Sequence, residues 1–218
     1  MSLHLTKIEI DYETAHKAGL RDAYAWHQWA WQAFPERPEA DRDFLTRLDD
    51  TGDGFRFLIQ SATAPQRPGT CPEDALETRE ISAKFFQHGS YRFSLLVNPT
   101  KKLAAPRDAH GKRRNAKRIP ISTRENLLEW IARKGTQHGF LTDPATLQTI
   151  PRPRQVFVKK STADSQRHAG LHSATEFVGI LKVTDPAAFL AAGHSGIGSA
   201  KAFGFGMLCL SPISNLIP

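Results

Sequence analysis

The alternation of apolar and polar residues predicts the elements of the first half of the chain. Residues 3–10 alternate as a half-buried strand does, and residues 55–60 repeat the pattern. Between them, a helix is predicted from Asp22, a suitable N-cap, to Phe34, which a proline follows. The first half therefore begins with a strand, a helix and a second strand.

The remainder of this half is less regular. The charged segment after the helix contains Phe44, Leu45 and Leu48 at helical spacing. We expect a short helix at 73–78 and a strand at 79–86. The order β-α-β-α-β is consistent with a ferredoxin-like unit.

The second half repeats the theme. Ser122 and Glu125 form a capping box that opens a helix, and Gly135 closes it. Asp185 is a predicted N-cap and Gly193 the left-handed stop of a later helix. The predicted elements are a strand at 91–97, a helix at 126–134, strands at 155–160 and 175–183, a helix at 186–192 and a last strand at 207–210.

These elements predict an α+β architecture of two tandem ferredoxin-like (βαββαβ) domains. We place an N-terminal domain at 1–89, carrying the helix from Asp22, and a C-terminal domain at 90–218. The polar segment 161–174 is expected to be a mobile hairpin tip. The chain has no apolar run long enough to span a membrane and no signal-peptide core at its start. With only two cysteines, it is expected to be a cytoplasmic protein with free thiols.

The net charge of +7 is divided unequally between the halves. Residues 1–89 hold 10 Lys and Arg against 15 Asp and Glu, whereas residues 90–218 hold 19 against 7. A basic half of this kind favours a polyanionic partner, although a basic solvated surface is also possible. Eight cations fall between residues 101 and 118, opposed only by Asp108: Lys101, Lys102, Arg107, Lys112, Arg113, Arg114, Lys117 and Arg118.

A glycine-rich run at 193–206 is the most informative local motif. It contains five glycines and one cation, Lys201, between a predicted helix and a predicted strand. Glycines let backbone N–H groups approach an anion closely. The run does not have the residue order of a P-loop or of a dinucleotide-binding fingerprint. A tight turn would account for some of these glycines but hardly for all five.

The helix that begins at Asp22 has two distinct faces. One is apolar and predicts a core stripe: Ala23, Trp26, Ala30, Ala33 and Phe34. On the other face, Tyr24 and His27 lie side by side, one turn apart. An imidazole can transfer protons near neutral pH, but a surface histidine beside a packing tyrosine fits the same spacing. No Cys/His cluster has the spacing of a zinc site, so we expect no metal or other cofactor.

Several segments together resemble one known family, the CasE endoribonucleases of type I-E CRISPR systems, and the resemblance spans nearly the whole chain. They are Tyr24-Ala-Trp-His27-Gln, Leu95-Leu-Val-Asn-Pro-Thr-Lys-Lys, Phe177-Val-Gly-Ile-Leu and Gly196-Ile-Gly-Ser-Ala-Lys-Ala-Phe-Gly-Phe-Gly-Met-Leu. The resemblance implies two ferredoxin-like domains. It also implies binding to the stem-loop of a CRISPR repeat, one cut at the stem base, and retention of the product within the Cascade complex.

The resemblance also assigns roles to residues. His27 matches the catalytic histidine, and Tyr24 matches a tyrosine that assists in some members. Some members carry a lysine where this chain has Gln32, and Ser199 replaces a common proline. The expected reaction is metal-independent attack of the ribose 2′-OH on the adjacent phosphate, with the acid and base roles of His27 and Tyr24 left open.

RNA binding is expected to fall to the basic half, with the glycine run holding phosphates and the other cations lining the stem. The candidate RNA-binding residues are Lys101, Lys102, Arg113, Arg114, Lys117, Arg118, Lys159, Lys160, Gly196, Gly198, Ser199, Lys201 and Gly204. One alternative is a non-catalytic RNA-binding subunit of a CRISPR effector complex. A more distant alternative is a ferredoxin-like enzyme acting on small molecules, which the run of cations disfavours.

Overall fold

The computed structural model describes residues 3–36, 42–103, 118–160 and 167–213, with 156–160 and 167–171 described by their backbone alone. The first half forms a sheet of four antiparallel strands in the order β2-β3-β1-β4. Two helices follow β1 before the chain enters β2. These elements are β1 (Leu3–Asp11), α1 (Tyr12–Lys17), α2 (Ala23–Trp31), β2 (Phe44–Asp50), β3 (Gly54–Ser61) and β4 (Leu76–Ile81).

The strand order is that of a ferredoxin-like unit, but residues 62–75, where the second crossover helix would lie, contain no helix. The helix expected at 73–78 was wrong, and the strand expected at 79–86 lies earlier in the chain, at Leu76–Ile81. Strand β4 starts earlier because its backbone pairs with β1, from Leu76 opposite Ile8 to Ile81 opposite Leu3. A 3₁₀ turn, Ala83–Gln87, follows it.

The helical spacing of Phe44, Leu45 and Leu48 was also misleading, since these residues lie in β2. Phe44 through Arg47 are all buried. The ring of Phe44 packs on Phe34, next to α2, whereas the guanidinium of Arg47 reaches Glu176 in the second half. Because both faces of β2 are covered, its residues do not alternate in polarity.

The second half forms the same topology more completely. Its sheet has the order β11-β5-β10-β8, and β9 pairs with β10 beyond β8 along the same edge. The elements are β5 (Ser90–Val97), β6 (Thr100–Lys102), β7 (Arg118–Pro120), α3 (Arg124–Gln137), β8 (Phe140–Thr142), β9 (Gln148–Lys160), β10 (Arg167–Val183), α4 (Pro186–Ser195) and β11 (Leu208–Pro212). With α3 and α4 as its crossovers, the unit has the predicted βαββαβ order. The expected hairpin tip at 161–174 is largely strand, since β10 begins at Arg167, and residues 161–166 lie outside the described residues.

Two expected helix ends were wrong, both because a glycine serves packing instead of termination. The predicted stops Gly135 and Gly193 both lie inside helices. A Cβ on Gly135 would lie 2.5 Å from the carbonyl oxygen of Phe140, and one on Gly193 would lie 2.6 Å from the ring of Phe86. At the start of α3 the N-cap is Thr123, whose hydroxyl accepts from the amide of Asn126, rather than Ser122.

Each sheet has its own buried core. The first centres on Trp26, Trp29 and Phe57, and the second on Leu95 and Phe177. Between the two sheets, the amide of Gln60 donates to the carbonyl of Gly193 at 2.6 Å. The boundary near residue 89 remains a proposal.

Candidate active site and nucleic-acid interface

Helix α2 holds His27 at its surface because its other face is buried. The carboxylate of its N-cap, Asp22, accepts from the amide of Ala25 at 2.8 Å. Four residues of the predicted stripe are buried, namely Trp26, Ala30, Ala33 and Phe34, while Ala23 is half-buried. Tyr24 and His27 are half-buried on the opposite face. The two faces of the helix are therefore divided as the sequence predicts.

The imidazole of His27 is held by an aromatic neighbour. The indole Nε1 of Trp31 donates to its Nε2 at 3.2 Å. Because an indole nitrogen can only donate, Nε2 must accept, which puts the proton of the neutral ring on Nδ1. Nδ1 is buried and has no hydrogen-bond partner among the described residues. Burial, and then the charge of Arg42, lower the pKa of His27 to about 4, so the ring is neutral at physiological pH.

Arg42 was not singled out by its sequence, yet it links the two halves of the site. Its Nη1 donates to the carbonyl oxygen of Phe44 at 2.6 Å and to that of Lys201 at 3.1 Å. Its Cζ lies 5.9 Å from the ring centroid of Phe44, whose other neighbours include the ring of His27 at 6.2 Å. Arg42 and His27 are thus both neighbours of the same phenyl ring.

The glycine-rich run forms a loop that is closed on itself and on the second sheet. The amide of Ile197 donates to the carbonyl oxygen of Gly206 at 2.9 Å. The amide of Gly206 donates to the carbonyl oxygen of Leu96 at 2.8 Å. Gly196 has φ +72°, and a Cβ there would lie 2.9 Å from the Gly206 oxygen. Some glycines of the loop therefore serve close packing and a left-handed backbone, besides any role in binding.

The glycine loop packs against the first half of the chain, at the helix that carries His27. Its central 3₁₀ turn, Lys201–Phe203, contacts both α2 and β2, and β9 also packs against α2. The predicted imidazole and the predicted anion-binding loop, which are far apart in sequence, therefore lie together at the junction of the two sheets.

The surroundings of the loop are positively charged. The ammonium of Lys201 donates to the carbonyl of Ser195 at 2.7 Å. Burial lowers the pKa of Lys201, and the charges of Arg42 and Lys134 lower it further. Burial likewise lowers the pKa of Lys134, with Arg133 and Arg118 adding to the effect. Within the described parts of the chain, none of these cations pairs with a carboxylate. We call Arg42, Lys201, Lys134 and Arg118 the cation group.

The remaining candidate residues have different positions. Strands β6 and β7 form a two-stranded ribbon in which Lys102 lies opposite Arg118, a member of the cation group. Lys101, next to Lys102, is exposed. The hydroxyl of Ser199 donates to the Asn98 carbonyl at 3.5 Å, and Gly198 lies beside the ring of Trp130. Gly204 has φ +82°. Lys159 and Lys160 end β9 with no side-chain description, and Arg113, Arg114 and Lys117 lie outside the described residues.

Three further findings do not concern the candidate residues. In the part of the chain that the structure describes, no three His, Cys, Asp or Glu side chains are grouped so that they could hold a metal ion. No helix among those residues has the length and apolar character to cross a bilayer. Cys71 and Cys209 are free thiols.

Known proteins resemble this chain over most of its length. The model of a family described as "CRISPR associated protein" matches residues 3–212. The Cascade subunit CasE of Escherichia coli is 29% identical over 201 residues, which cover 90% of this chain and 96% of CasE. The CRISPR-associated endoribonuclease Cse3 of Thermus thermophilus is 30% identical over 125 residues, covering 56% of this chain and 55% of Cse3.

The fold has a close structural counterpart. The structure of Thermus thermophilus Cse3 bound to an RNA representing a pre-cleavage complex superposes with a TM-score of 0.72 at 24% identity, covering 97% of this chain and 100% of that one. This likeness supports the two ferredoxin-like domains. With a family model that matches nearly its entire length, the chain belongs to the CRISPR associated protein family.

Proposed function

We propose that this chain is an endoribonuclease that cuts precursor CRISPR RNA at the base of the repeat stem and stays on the product as a Cascade subunit. The observation that carries the proposal is the position of His27, a neutral imidazole beside a glycine loop and beside cations that pair with no carboxylate of the described residues. A relative named an endoribonuclease, and another named a Cascade subunit, support the reaction and the assembly.

The proposed reaction uses the RNA's own nucleophile. The ribose 2′-oxygen attacks the adjacent phosphorus, the bond to the 5′-oxygen breaks, and a 2′,3′-cyclic phosphate and a 5′-hydroxyl result. The 2′-OH proton leaves to a base, and the departing 5′-oxygen receives a proton from an acid. Neither step needs a metal ion.

His27 can serve this reaction as base or as acid. In the free protein its pKa of about 4 leaves the ring neutral and able to accept the 2′-OH proton. A bound phosphate brings a negative charge that favours the imidazolium, so RNA raises this pKa and enables proton donation to the leaving group. Tyr24, one turn away, would orient the attacked linkage. In either role, RNA must first take the place of the Trp31 indole at Nε2 or approach Nδ1.

Binding would use the basic half. The glycine loop and Lys201 would hold backbone phosphates next to the cut, while the β6–β7 ribbon with Lys101, Lys102 and Arg118 would follow the stem. A-form RNA is recognised mainly through phosphates and 2′-hydroxyls, which suits lysines and arginines that have no carboxylate partner among the described residues.

The test is cleavage of an end-labelled repeat hairpin in EDTA by wild type, His27→Ala and His16→Ala. His16 is exposed on α1 and serves as a matched histidine control. We expect His27→Ala to lower the single-turnover rate at least about 100-fold, with affinity for the hairpin unchanged within twofold. His16→Ala should retain the wild-type rate.

Two results would contradict the proposal. A fully active His27→Ala protein would exclude His27 from catalysis. A wild-type protein that binds the hairpin tightly but leaves it intact would identify the chain as a non-catalytic RNA-binding subunit. End-group analysis of the products distinguishes 2′-OH attack from hydrolysis by water, because only the former gives a cyclic phosphate.

A further inference from the structure

We infer that Arg42 contacts the phosphate that is cleaved and holds it between His27 and the glycine loop. The inference rests on the proposed function and adds a catalytic residue to it. It follows from the position of the guanidinium, its unused donors and the chemistry of the transition state.

Arg42 lies where three elements of the site converge. Its Nη1 donates to β2, at the carbonyl of Phe44, and to the glycine loop, at the carbonyl of Lys201. It also lies near enough to α2 for its charge to act on His27. Two residues distant from each other in sequence, His27 and Lys201, therefore both lie next to this one side chain.

The guanidinium keeps donors that the protein does not use. Its Nε and Nη2 have no hydrogen-bond partner among the described residues, and no carboxylate there lies within ion-pair distance. Arg42 is half-buried, and burial lowers its pKa, so a part of the cost of desolvating this charge is uncompensated. A planar guanidinium with free donors matches two oxygens of one phosphate.

Helix α2 supplies no cation of its own. No basic residue lies in its last turn, and Gln32, which follows it, is neutral. As the 2′-oxygen attacks, a further negative charge develops on the non-bridging phosphate oxygens. A fixed cation at that point stabilises the transition state more than the ground state. Among the described residues on the His27 side of the site, Arg42 is the one placed to do this.

The same placement couples RNA binding to the imidazole. In the free protein the charge of Arg42 adds to burial in keeping His27 neutral. A phosphate bound to Arg42 would neutralise that charge and place an anion beside His27. The substrate would thus reverse one of the two causes that keep the imidazole unprotonated.

The experiment compares wild type, Arg42→Gln, Arg42→Lys and Arg21→Gln. Arg21 is an exposed arginine just before α2 and controls for loss of one positive charge. We expect Arg42→Gln to lower the single-turnover rate at saturating protein roughly 100-fold, and its affinity for a hairpin with a 2′-deoxy cleavage site less than about fivefold. Arg42→Lys should recover part of the rate, and Arg21→Gln should retain all of it.

A second measurement separates contact from a structural role. Replacing one non-bridging oxygen of the cleaved phosphate by sulfur weakens a contact with a guanidinium. Sulfur should therefore slow the wild type more than it slows Arg42→Gln. If Arg42 only anchors the glycine loop, both proteins will show the same sulfur effect for either stereoisomer.

The outcomes distinguish this inference from the proposed function. If the wild type cleaves and Arg42→Gln cleaves at the same rate, only the role of Arg42 is overturned. An equal sulfur effect in the two proteins overturns the same role. A wild type that binds without cleaving overturns both, because no phosphate is then cut. A reduced rate with a reduced sulfur effect supports the contact.

Discussion

Two sets of cations lie where the two sheets meet, and they differ in what balances their charge. In the first, Arg47 of β2 pairs with Glu176 of β10 at 2.7 Å, with side chains 7% and 5% exposed. Arg47 also pairs with Asp49 at 2.9 Å, and its Nη1 donates to the hydroxyl of Ser94. Arg152 donates to the other oxygen of Glu176. We call these residues the paired group.

In the cation group, by contrast, the recorded acceptors are backbone carbonyls and side-chain oxygens that carry no charge. Lys201 and Arg42 donate to carbonyls, and Lys134 donates to the side-chain oxygen of Gln137 at 2.9 Å. The pKa values differ accordingly. Burial would raise the pKa of Glu176, yet hydrogen bonds from Ser94, Arg47 and Arg152 lower it to about 2. For Lys201 and Lys134, burial and neighbouring positive charges both lower the pKa.

The difference separates a structural arrangement from a binding arrangement. The paired group holds the sheets together with charges that the chain itself supplies. The cation group sits at the same junction with no carboxylate of the described residues to balance its charges, which a domain interface alone would not favour. A polyanion bound there would supply the missing negative charge.

The largest effect is expected from breaking the paired group. Glu176→Ala leaves the Arg47 guanidinium buried with Asp49 as its remaining carboxylate, and we expect the free energy of unfolding to fall by about 3–5 kcal/mol. Urea denaturation at pH 7 measures this loss. The double variant Arg47→Met/Glu176→Leu removes both charges and should recover most of it. Equal stability of Glu176→Ala and wild type would show that the pair does not hold the interface.

The cation group should respond in the opposite manner, in binding and not in stability. Lys201→Met and Lys134→Met should each weaken binding to a 2′-deoxy repeat hairpin. Each should also reduce the slope of log affinity against log salt by roughly 0.7–0.9. The free energy of unfolding should change by less than about 1 kcal/mol, because each loses one hydrogen bond and some repulsion.

Lys84→Met is the matched control, since Lys84 is exposed on the 3₁₀ turn after β4. It removes the same charge elsewhere and should leave the salt slope unchanged. If Lys201→Met and Lys134→Met both keep the wild-type salt slope, as Lys84→Met should, the cation group is not part of the RNA footprint.

The parts of the fold that the sequence predicts are those decided by local chemistry. The caps Asp22 and Asp185 both accept backbone amides as expected, and residues 91–95 alternate because Tyr91, Phe93 and Leu95 lie in the core of the second sheet. Strand β2 could not be predicted, because its second face is covered by residues more than a hundred positions away. The roles of Gly135 and Gly193 depend on Phe140 and Phe86, which local patterns do not reveal.

The candidate site shows the same division. Helical spacing was enough to place Tyr24 and His27 on one face, and the glycine run was visible as composition. Their proximity is a tertiary fact that spacing could not give. Arg42 was missed because its contact with Lys201 joins residues 159 positions apart. Lys134 was missed because, in sequence, it is one more cation at the end of a predicted helix.

The smallest effect should appear as two separate windows of acid destabilisation. His27 has a folded pKa of about 4, below its ordinary value of 6.5, so the unfolded chain binds its proton first. The stability that His27 contributes is therefore complete above pH 6.5 and is lost as the pH falls from there to 4, by about 1–2 kcal/mol for this half-buried group. Glu176 has a folded pKa of about 2, below its ordinary value of 4.5. The stability that it contributes is therefore complete above pH 4.5 and is lost as the pH falls below that value.

Urea denaturation at several pH values should thus show His27→Ala differing from wild type in the upper window and Glu176→Gln in the lower one. His16→Ala should follow wild type throughout, and a His27→Ala protein with the wild-type pH dependence between 6.5 and 4 would mean that the imidazole is not desolvated at the junction.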